Sequence, residues 1–550
     1  MANKLLINHK YIEIQCDKDD WHTHNLVSQI PYVHSNRSKT KFRTTTRNIA
    51  LVLKLFRNID ETNVDSLPPN IREIWENEMH KQAATKKLLE QGPQRPHGWL
   101  YAHQQLGREL AEIHDRFAFF YDTRTGKTLM SLQIIVDDIE KNPDHKWLVL
   151  CPLILIENAW LADAKQFFPE LKVVNLHDRS RAKRLKKFQQ EANLYITNIE
   201  SFVNYREHIE KLNIHGCFVD ESSAMKSSRS KFGKEAVDFA QTVKRWYLLS
   251  GTPAPNGEWE YYRQLQSIDY YGVHQSWTQF KNYFFDNISY NPQFEKLQVK
   301  PDKKDELLRL IRRYSVYVDK EDVLNTPGRD FITVDITMPK ELAKQYNQLR
   351  RELYLELKEN DVLITAPSAG AKRNKLNQVT SGFIIDTKTQ ETYLLSDYRF
   401  KALSKLLRNI GDEQVIIWCN YHKEFEVIKD MLGDKCVCVY GKTNIEEKNK
   451  NIKAFKEGKV QYLVANPASA DKGLTLTNAR FAIYFSMNDS LELFEQSADR
   501  IYGDKSKQPH RCTYYIIQAK GTIDEVIYKS IRNKENISMA ILNHLKGGIQ

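Results

Sequence analysis

Short runs of β-branched and aromatic residues recur along the chain, spaced to leave room for one helix between neighbours. Phe117–Phe120, Trp147–Cys151, Lys172–Asn175, Leu194–Thr197, Cys217–Asp220 and Trp246–Ser250 form a first series. Alternation of this kind predicts a parallel sheet with covering helices. It stops after Gly257, and residues 258–360 read as mostly helical, rich in aromatic and basic side chains. It resumes with Val415–Cys419, Cys436–Tyr440, Gln461–Ala465, Phe481–Phe485 and Thr513–Ile517. Ahead of both series, Trp21–Ile30 and Asn48–Phe56 have helical spacing, and Tyr32–Arg43 reads as two short strands around SNRSK. Pro68, Pro69, Pro93 and Pro96 bracket a charged helical stretch that reads as a linker. The pattern predicts an α/β protein with a small basic N-terminal domain (1–65), a linker (66–95), a first lobe (96–257), a helical insertion and inter-lobe region (258–395), a second lobe (396–525) and a C-terminal helix (526–550).

Composition narrows the class. A chain of 550 residues is too long for one hydrophobic core. No window is apolar enough to span a bilayer, and the N-terminus turns charged too soon for a secretory signal. The seven cysteines include no C-x-x-C pair, and Cys436 and Cys438 match neither a zinc knuckle nor a disulfide framework. The expectation is an intracellular protein with reduced thiols, no structural metal and no membrane partner. A net charge of +11 favours a polyanionic partner. Basic clusters occur at Arg181–Lys187, Arg229–Lys234, Lys300–Lys304, Arg309–Arg313 and Lys372–Lys375, although most charge runs are solvated faces.

Candidate chemistry sits where strands end. Thr125-Gly126-Lys127-Thr128 lies between an apolar strand and a helix with Leu129, Leu132, Ile135 and Val136 on one side. A loop there turns N–H groups towards phosphate, with Lys127 reaching the β/γ-phosphates of ATP and the Thr128 hydroxyl on Mg²⁺. Tyr121 stands where the usual phosphate loop has its first glycine. Cys217–Val219 leads into Asp220 and Glu221, positioned as a second Mg²⁺ anchor and a water-orienting carboxylate. Gln104, just upstream, is a candidate for reading the adenine edge.

Taken in order, these segments resemble the helicase superfamily-two ATPases, most closely the Swi/Snf branch of double-stranded DNA translocases. LVLCPLILIENAW, FVDESSAMK, LLSGTPAPNG, LLRLIRRYSVYVDKEDVL, NPASADKGLTLTNA and EQSADRI carry the resemblance, which runs from about Pro96 to Lys534. It implies two RecA-like lobes with a helical Swi/Snf-type insertion. It also implies that Gln104 contacts adenine, that Lys127 and Thr128 hold the phosphates and Mg²⁺, and that Asp220 and Glu221 serve metal and water. Ser250, Gly251 and Thr252 would couple nucleotide state to the second lobe. Pro152, Thr197, Asn198 and Ser469 would lie along the tracked DNA strand, with Arg312 and Arg313 on a brace-like basic helix. Gly473 and Arg500 would complete the nucleotide site.

Two positions depart from that pattern. The family motif ends in a second arginine where this chain has Gly503, so Lys505, Lys507, Arg511 or Arg500 itself would have to serve the transferring phosphate. Asp471 replaces a customary glycine, with Lys472 as its nearest partner. Residues 21–56 resemble the small accessory domain of fork-remodelling annealing helicases, with Phe42 in place of a tryptophan; Lys39, Lys41, Arg43 and Arg47 would then grip branched DNA. The expected function is an ATP-driven motor on duplex, forked or branched DNA, largely indifferent to sequence. It would be a monomer, working with replication or recombination proteins in a bacterial or phage-infected cytoplasm, or in a nucleus if eukaryotic. The alternatives are a strand-separating helicase, or a weak ATPase used as an ATP-switched DNA-binding protein.

Overall fold

A computed structural model describes residues 4–546 apart from 32, 37, 58, 60–62, 96–97, 274–275, 290–294, 360–365, 387–390, 470–474 and 507, with side chains described except at 352–372, 445 and 535–546. The chain forms two compact bodies, one mainly from residues 1–287 and 297–319, the other mainly from 320–537. Among the described residues no helix is long and apolar enough to cross a membrane.

The first body opens with a four-stranded antiparallel sheet, ordered β1 (Lys4–Ile7), β2 (Ile12–Gln15), β4 (Lys41–Thr44) and β3 (His34–Ser35). The first two strands were not evident from the sequence: they are four residues each, and their turn is made by Asn8 Oδ1 accepting from the amides of Lys10 (2.8 Å) and Tyr11 (2.9 Å). Helix α1 (Trp21–Ser28) is capped by the Asp20 carboxylate on the Thr23 amide at 3.0 Å, and α2 (Ile49–Arg57) lays Ile49, Val52 and Leu53 against Ile12, Ile14 and Phe42. The stretch read as a linker holds a 23-residue helix, α3 (Pro69–Gln91), whose Ile74 joins the same core.

Helix α4 (Ala102–Ile113) leads into a seven-stranded parallel sheet of β5 (Arg116–Tyr121), β6 (Trp147–Cys151), β7 (Val173–Asn175), β8 (Leu194–Asn198), β9 (Gly216–Asp220), β10 (Arg245–Leu249) and β13 (Ser315–Val318). The short β11 (Phe285–Asn287) and β12 (Leu297–Val299) pair as a separate ribbon. Strand order is β13-β5-β10-β9-β6-β8-β7. Helices α5 (Lys127–Lys141) and α6 (Arg181–Lys187) follow β5 and β7. The insertion read as mostly helical contributes β13 to this sheet directly after α7 (Lys304–Tyr314), because Ser315-Val-Tyr-Val fills the open edge beside β5.

In the second body, β14 (Arg329–Ile336) extends a six-stranded parallel sheet ordered β14-β21-β20-β17-β19-β18. The others are β17 (Val415–Trp418), β18 (Cys436–Val439), β19 (Tyr462–Ala465), β20 (Phe481–Tyr484) and β21 (Cys512–Ala519), with β15 (Phe383–Ile385) and β16 (Thr392–Leu394) forming a hairpin outside it. Strand β14 lies inside the stretch expected to be helical, and its alternating Phe331, Thr333 and Asp335 against Ile332, Val334 and Ile336 is a strand pattern. Helix α8 (Leu491–Ala498) precedes β21, and α9 (Ile523–Lys546) begins earlier than the sequence suggested. Buried Arg399 ties this body together, donating to Asp524 (2.6 Å), Phe485 O (2.6 Å) and Ile517 O (2.7 Å).

Candidate nucleotide and DNA site

Neighbouring strands of the first sheet end in the residues the sequence singled out. Strand β5 runs into the Thr125–Thr128 loop, β10 into Ser250–Thr252 and β9 into Asp220–Glu221; β6 and β8 follow, ending at Pro152 and Asn198. All are parallel, so these ends share one edge, the edge at which open α/β sheets bind ligands.

The phosphate loop is held in a defined shape. Gly126 has φ +76°, and a Cβ there would overlap Gln104 Nε2, so this position needs glycine. Gln104 is buried; its Oε1 accepts the Tyr101 amide at 2.9 Å and its Nε2 donates to the carbonyls of Gly126 (3.2 Å) and Thr125 (3.3 Å). Its amide therefore shapes the loop. His103 was not singled out in the sequence, where a lone histidine in a helix carries no signal. Burial holds its pKa below the ordinary value, and the neutral ring donates Nε2–H to Thr125 O at 2.7 Å. Thr125 Oγ1 donates to Asp122 O at 2.8 Å, and Lys127 Nζ rests on the carbonyls of Tyr121 (2.8 Å) and Asp122 (3.0 Å). Thr128 is the second residue of α5, whose N-terminus presents amide donors to an anion.

Asp220 is buried, its Oδ2 accepting Trp160 Nε1 at 2.9 Å and its Oδ1 the Glu221 amide at 3.0 Å. Trp160 is a second residue missed, since an apolar helix position looks like core. Glu221 adopts φ +55°, an uncommon backbone for a non-glycine residue and of the kind kept where a site demands it. Ser250 Oγ accepts the Thr252 amide at 3.2 Å, and the Gly251 Cα packs so close to the phosphate loop that an added Cβ would meet Thr123 N at 3.2 Å. The carboxylate and hydroxyl oxygens of Asp220 and Thr128 are the donors a hard divalent cation takes.

Several of the basic candidates already hold protein groups. Arg313 Nη1 donates to Asn48 Oδ1 at 3.0 Å, so this guanidinium fastens the N-terminal domain. Arg312 on α7 is half-buried, and burial lowers its pKa against the opposing pull of Asp305. Arg47, expected on DNA, stacks over Tyr314 at 4.5 Å and donates to Arg313 O at 2.7 Å; Thr45 Oγ1 reaches Asp269 at 2.6 Å beside it. Arg43 is paired with Glu13 at 2.6 Å. Lys39 and Lys41 stay exposed.

In the second body, Arg500 is buried directly after Asp499, which binds Lys320 Nζ at 2.5 Å. Ser469 follows β19, its Oγ 4.0 Å from where a Cβ on Gly441 would stand. Gly473, Asp471, Lys472 and Lys507 lie outside the described residues. Gly503 is buried, Lys505 is exposed, and Arg511 is committed to Asp330, with Nη2 at 2.7 Å from Oδ1.

A model of the SNF2-related domain matches residues 118–391, and one of the helicase conserved C-terminal domain matches residues 398–503. The "Putative protein p41" of Acyrthosiphon pisum secondary endosymbiont phage 1 is 25% identical over 447 residues, 77% of this chain and 93% of that protein. The "DNA annealing helicase and endonuclease ZRANB3" of Mus musculus is 20% identical over 438 residues, 77% of this chain but 39% of that one. The Sulfolobus solfataricus SWI2/SNF2 ATPase core solved in complex with dsDNA is 18% identical, covering 83% of this chain and 99% of that one at a TM-score of 0.38. Two parallel sheets and the matched domain pair define a DNA-dependent ATPase of helicase superfamily two. Within it, the chain belongs to the Swi/Snf-type family.

Proposed function

We propose that this ATPase is a translocase that remodels or reanneals duplex, forked or branched DNA inside the cell, in replication, recombination or repair. The observation that carries the reading is the shared sheet edge: the phosphate loop, Asp220–Glu221 and Ser250–Thr252 on one side, Pro152, Thr197 and Asn198 on the other. Lys127 would release the two carbonyls it now holds and neutralise the β/γ-phosphates. Thr128 and Asp220 would hold Mg²⁺, which neutralises phosphate charge when bound. Glu221 would orient the attacking water, and Gly251, pressed against Thr123, would report the state of the phosphate loop. Arg500 and Gly473 would complete the site from the second lobe, and Ser469 would follow the strand there. Of the basic residues put forward above for DNA, Lys39 and Lys41 are exposed and Arg312 is half-buried, and these would meet the backbone. The printed name of the mouse relative supports annealing.

Displacement of a third strand from a duplex triplex tests this directly. Wild type with ATP should displace it and Glu221→Gln should not; brisk hydrolysis without displacement overturns the motor reading. A second reading, an ATP-switched binder, is favoured by one observation: Gly503 supplies no cation and Arg511 is committed to Asp330. The same triplex assay separates the two, because a motor displaces the third strand with ATP and a switched binder does not.

A further inference from the structure

Among the described residues, Lys39, Arg124, Asn213 and Glu221 are the non-glycine residues with a left-handed backbone. Asparagine adopts that conformation readily, and Lys39 lies in the exposed SNRSK turn. Arg124 and Glu221 both belong to the nucleotide site. Arg124 is half-buried in the phosphate loop, two residues before Gly126 and three before Lys127. Its φ of +65° costs an L-residue about 1–2 kcal/mol, where glycine would carry none of that cost. A long cationic side chain is thus kept, against backbone preference, in the segment that meets the most concentrated negative charge of the substrate.

The residues on either side of it are anchored. Thr123 donates its amide to Asp122 Oδ1 at 2.6 Å and lies against Gly251. Thr125 is buried, with its carbonyl on His103 at 2.7 Å and its hydroxyl on Asp122 O at 2.8 Å. Arg124 therefore starts from a fixed point in the loop. Together with Gly126, at φ +76°, it curls the backbone into the kind of turn whose N–H groups gather round an anion.

Transfer of a phosphoryl group spreads charge over its equatorial oxygens, and an arginine there is worth orders of magnitude in rate. The second body is poorly furnished for this. Position 503 is glycine, Arg511 holds Asp330 with Nη2 at 2.7 Å from Oδ1, and Arg500 is only 7% exposed. A guanidinium in the phosphate loop carries a permanent charge and five N–H donors.

We infer that Arg124 supplies, from the first lobe's own phosphate loop, the guanidinium that binds the γ-phosphate oxygens of ATP as they gain charge. This rests on the nucleotide-site reading and adds a catalytic residue to it. The water oxygen bonds to the γ-phosphorus as the bond to the bridging oxygen breaks. That electron pair stays on ADP, and the water's proton leaves through Glu221 or on inorganic phosphate. Arg124 takes up and gives up no proton.

The test is steady-state ATP hydrolysis by the full-length protein with duplex DNA, comparing wild type with Arg124→Gly and Arg124→Asn. Glycine and asparagine both accept a left-handed backbone, so the loop keeps its shape. The melting midpoint of Arg124→Gly should be no lower than that of wild type, because the left-handed strain is relieved. In both variants kcat should fall about a hundredfold or more, while KM for ATP stays within about fivefold. Arg124→Lys, which keeps the charge but not the fork of donors, should fall between them and wild type. Variant turnover within about threefold of an active wild type would overturn the proposal, as would a raised KM with kcat unchanged, which marks a grip on the ground state alone. Wild-type turnover no higher than that of Glu221→Gln would sink the nucleotide-site reading, and this proposal with it.

Discussion

Replacing Asp499 by asparagine leaves the Lys320 ammonium buried without its counter-charge. The two side chains are 4% and 6% exposed and 2.5 Å apart, and the Arg329 guanidinium approaches the same oxygen at 4.0 Å. Breaking a buried pair from one side costs about 3–5 kcal/mol, because the stranded ion keeps its desolvation penalty. For a body of this size each kcal/mol lowers the midpoint by about 2–4 °C. Asp499→Asn should therefore lower the melting of the second body by about 6–20 °C in differential scanning calorimetry of the full chain. Lys320→Met with Asp499→Leu should recover most of the loss, since an apolar pair carries no buried charge. A single-variant loss under about 1 kcal/mol, or a double variant no better than the single, would refute the reasoning.

Other outcomes follow from the same geometry. Lys127→Ala and Glu221→Gln should each abolish ATP turnover while leaving DNA affinity within about twofold, checked by coupled-enzyme kinetics and anisotropy. Gly126→Ala must accommodate φ +76° and displace Gln104; the left-handed backbone alone costs about 1–2 kcal/mol, and nucleotide affinity should drop with stability. Arg47→Ala removes the stack on Tyr314 and the bond to Arg313 O, so limited proteolysis should release the N-terminal domain faster than in wild type. Buried His114, bonded to Thr85 at 2.7 Å, has its pKa held well below the ordinary 6.5 by burial, reinforced by Arg47 and Lys81. The folded state resists its protonation, so this group's contribution is full above pH 6.5 and lost as pH falls towards the folded value. Protease sensitivity of α3 should rise on acidification, and His114→Gln should flatten that rise.

The strand–helix rhythm was legible because buried parallel strands are near-continuous apolar runs, and Trp147–Cys151 is a strand at those very bounds. Strand β13 was hidden because a short run directly after an amphipathic helix reads as more of that helix, and β14 because it lies inside the same aromatic and basic insertion. The placement of Lys127, Asp220 and Glu221 at strand ends was equally readable, since it needs only the rule that parallel strands release their loops on one edge. Roles that depend on a distant partner were not. Arg43, Arg47 and Arg313 look alike as basic residues, and only the fold reveals that Glu13, Tyr314 and Asn48 have already claimed them. His103 and Trp160 carry no local motif, since their partners lie far along the chain.

Steady-state ATP hydrolysis by the full-length protein, alone and with single-stranded, duplex or forked DNA, tests the central claim most directly, with Glu221→Gln as the blank. The account predicts strong stimulation by duplex and forked DNA and little by single strands. Rates equal to the blank on every DNA would contradict it and show that nothing in this chain replaces the arginine missing at Gly503.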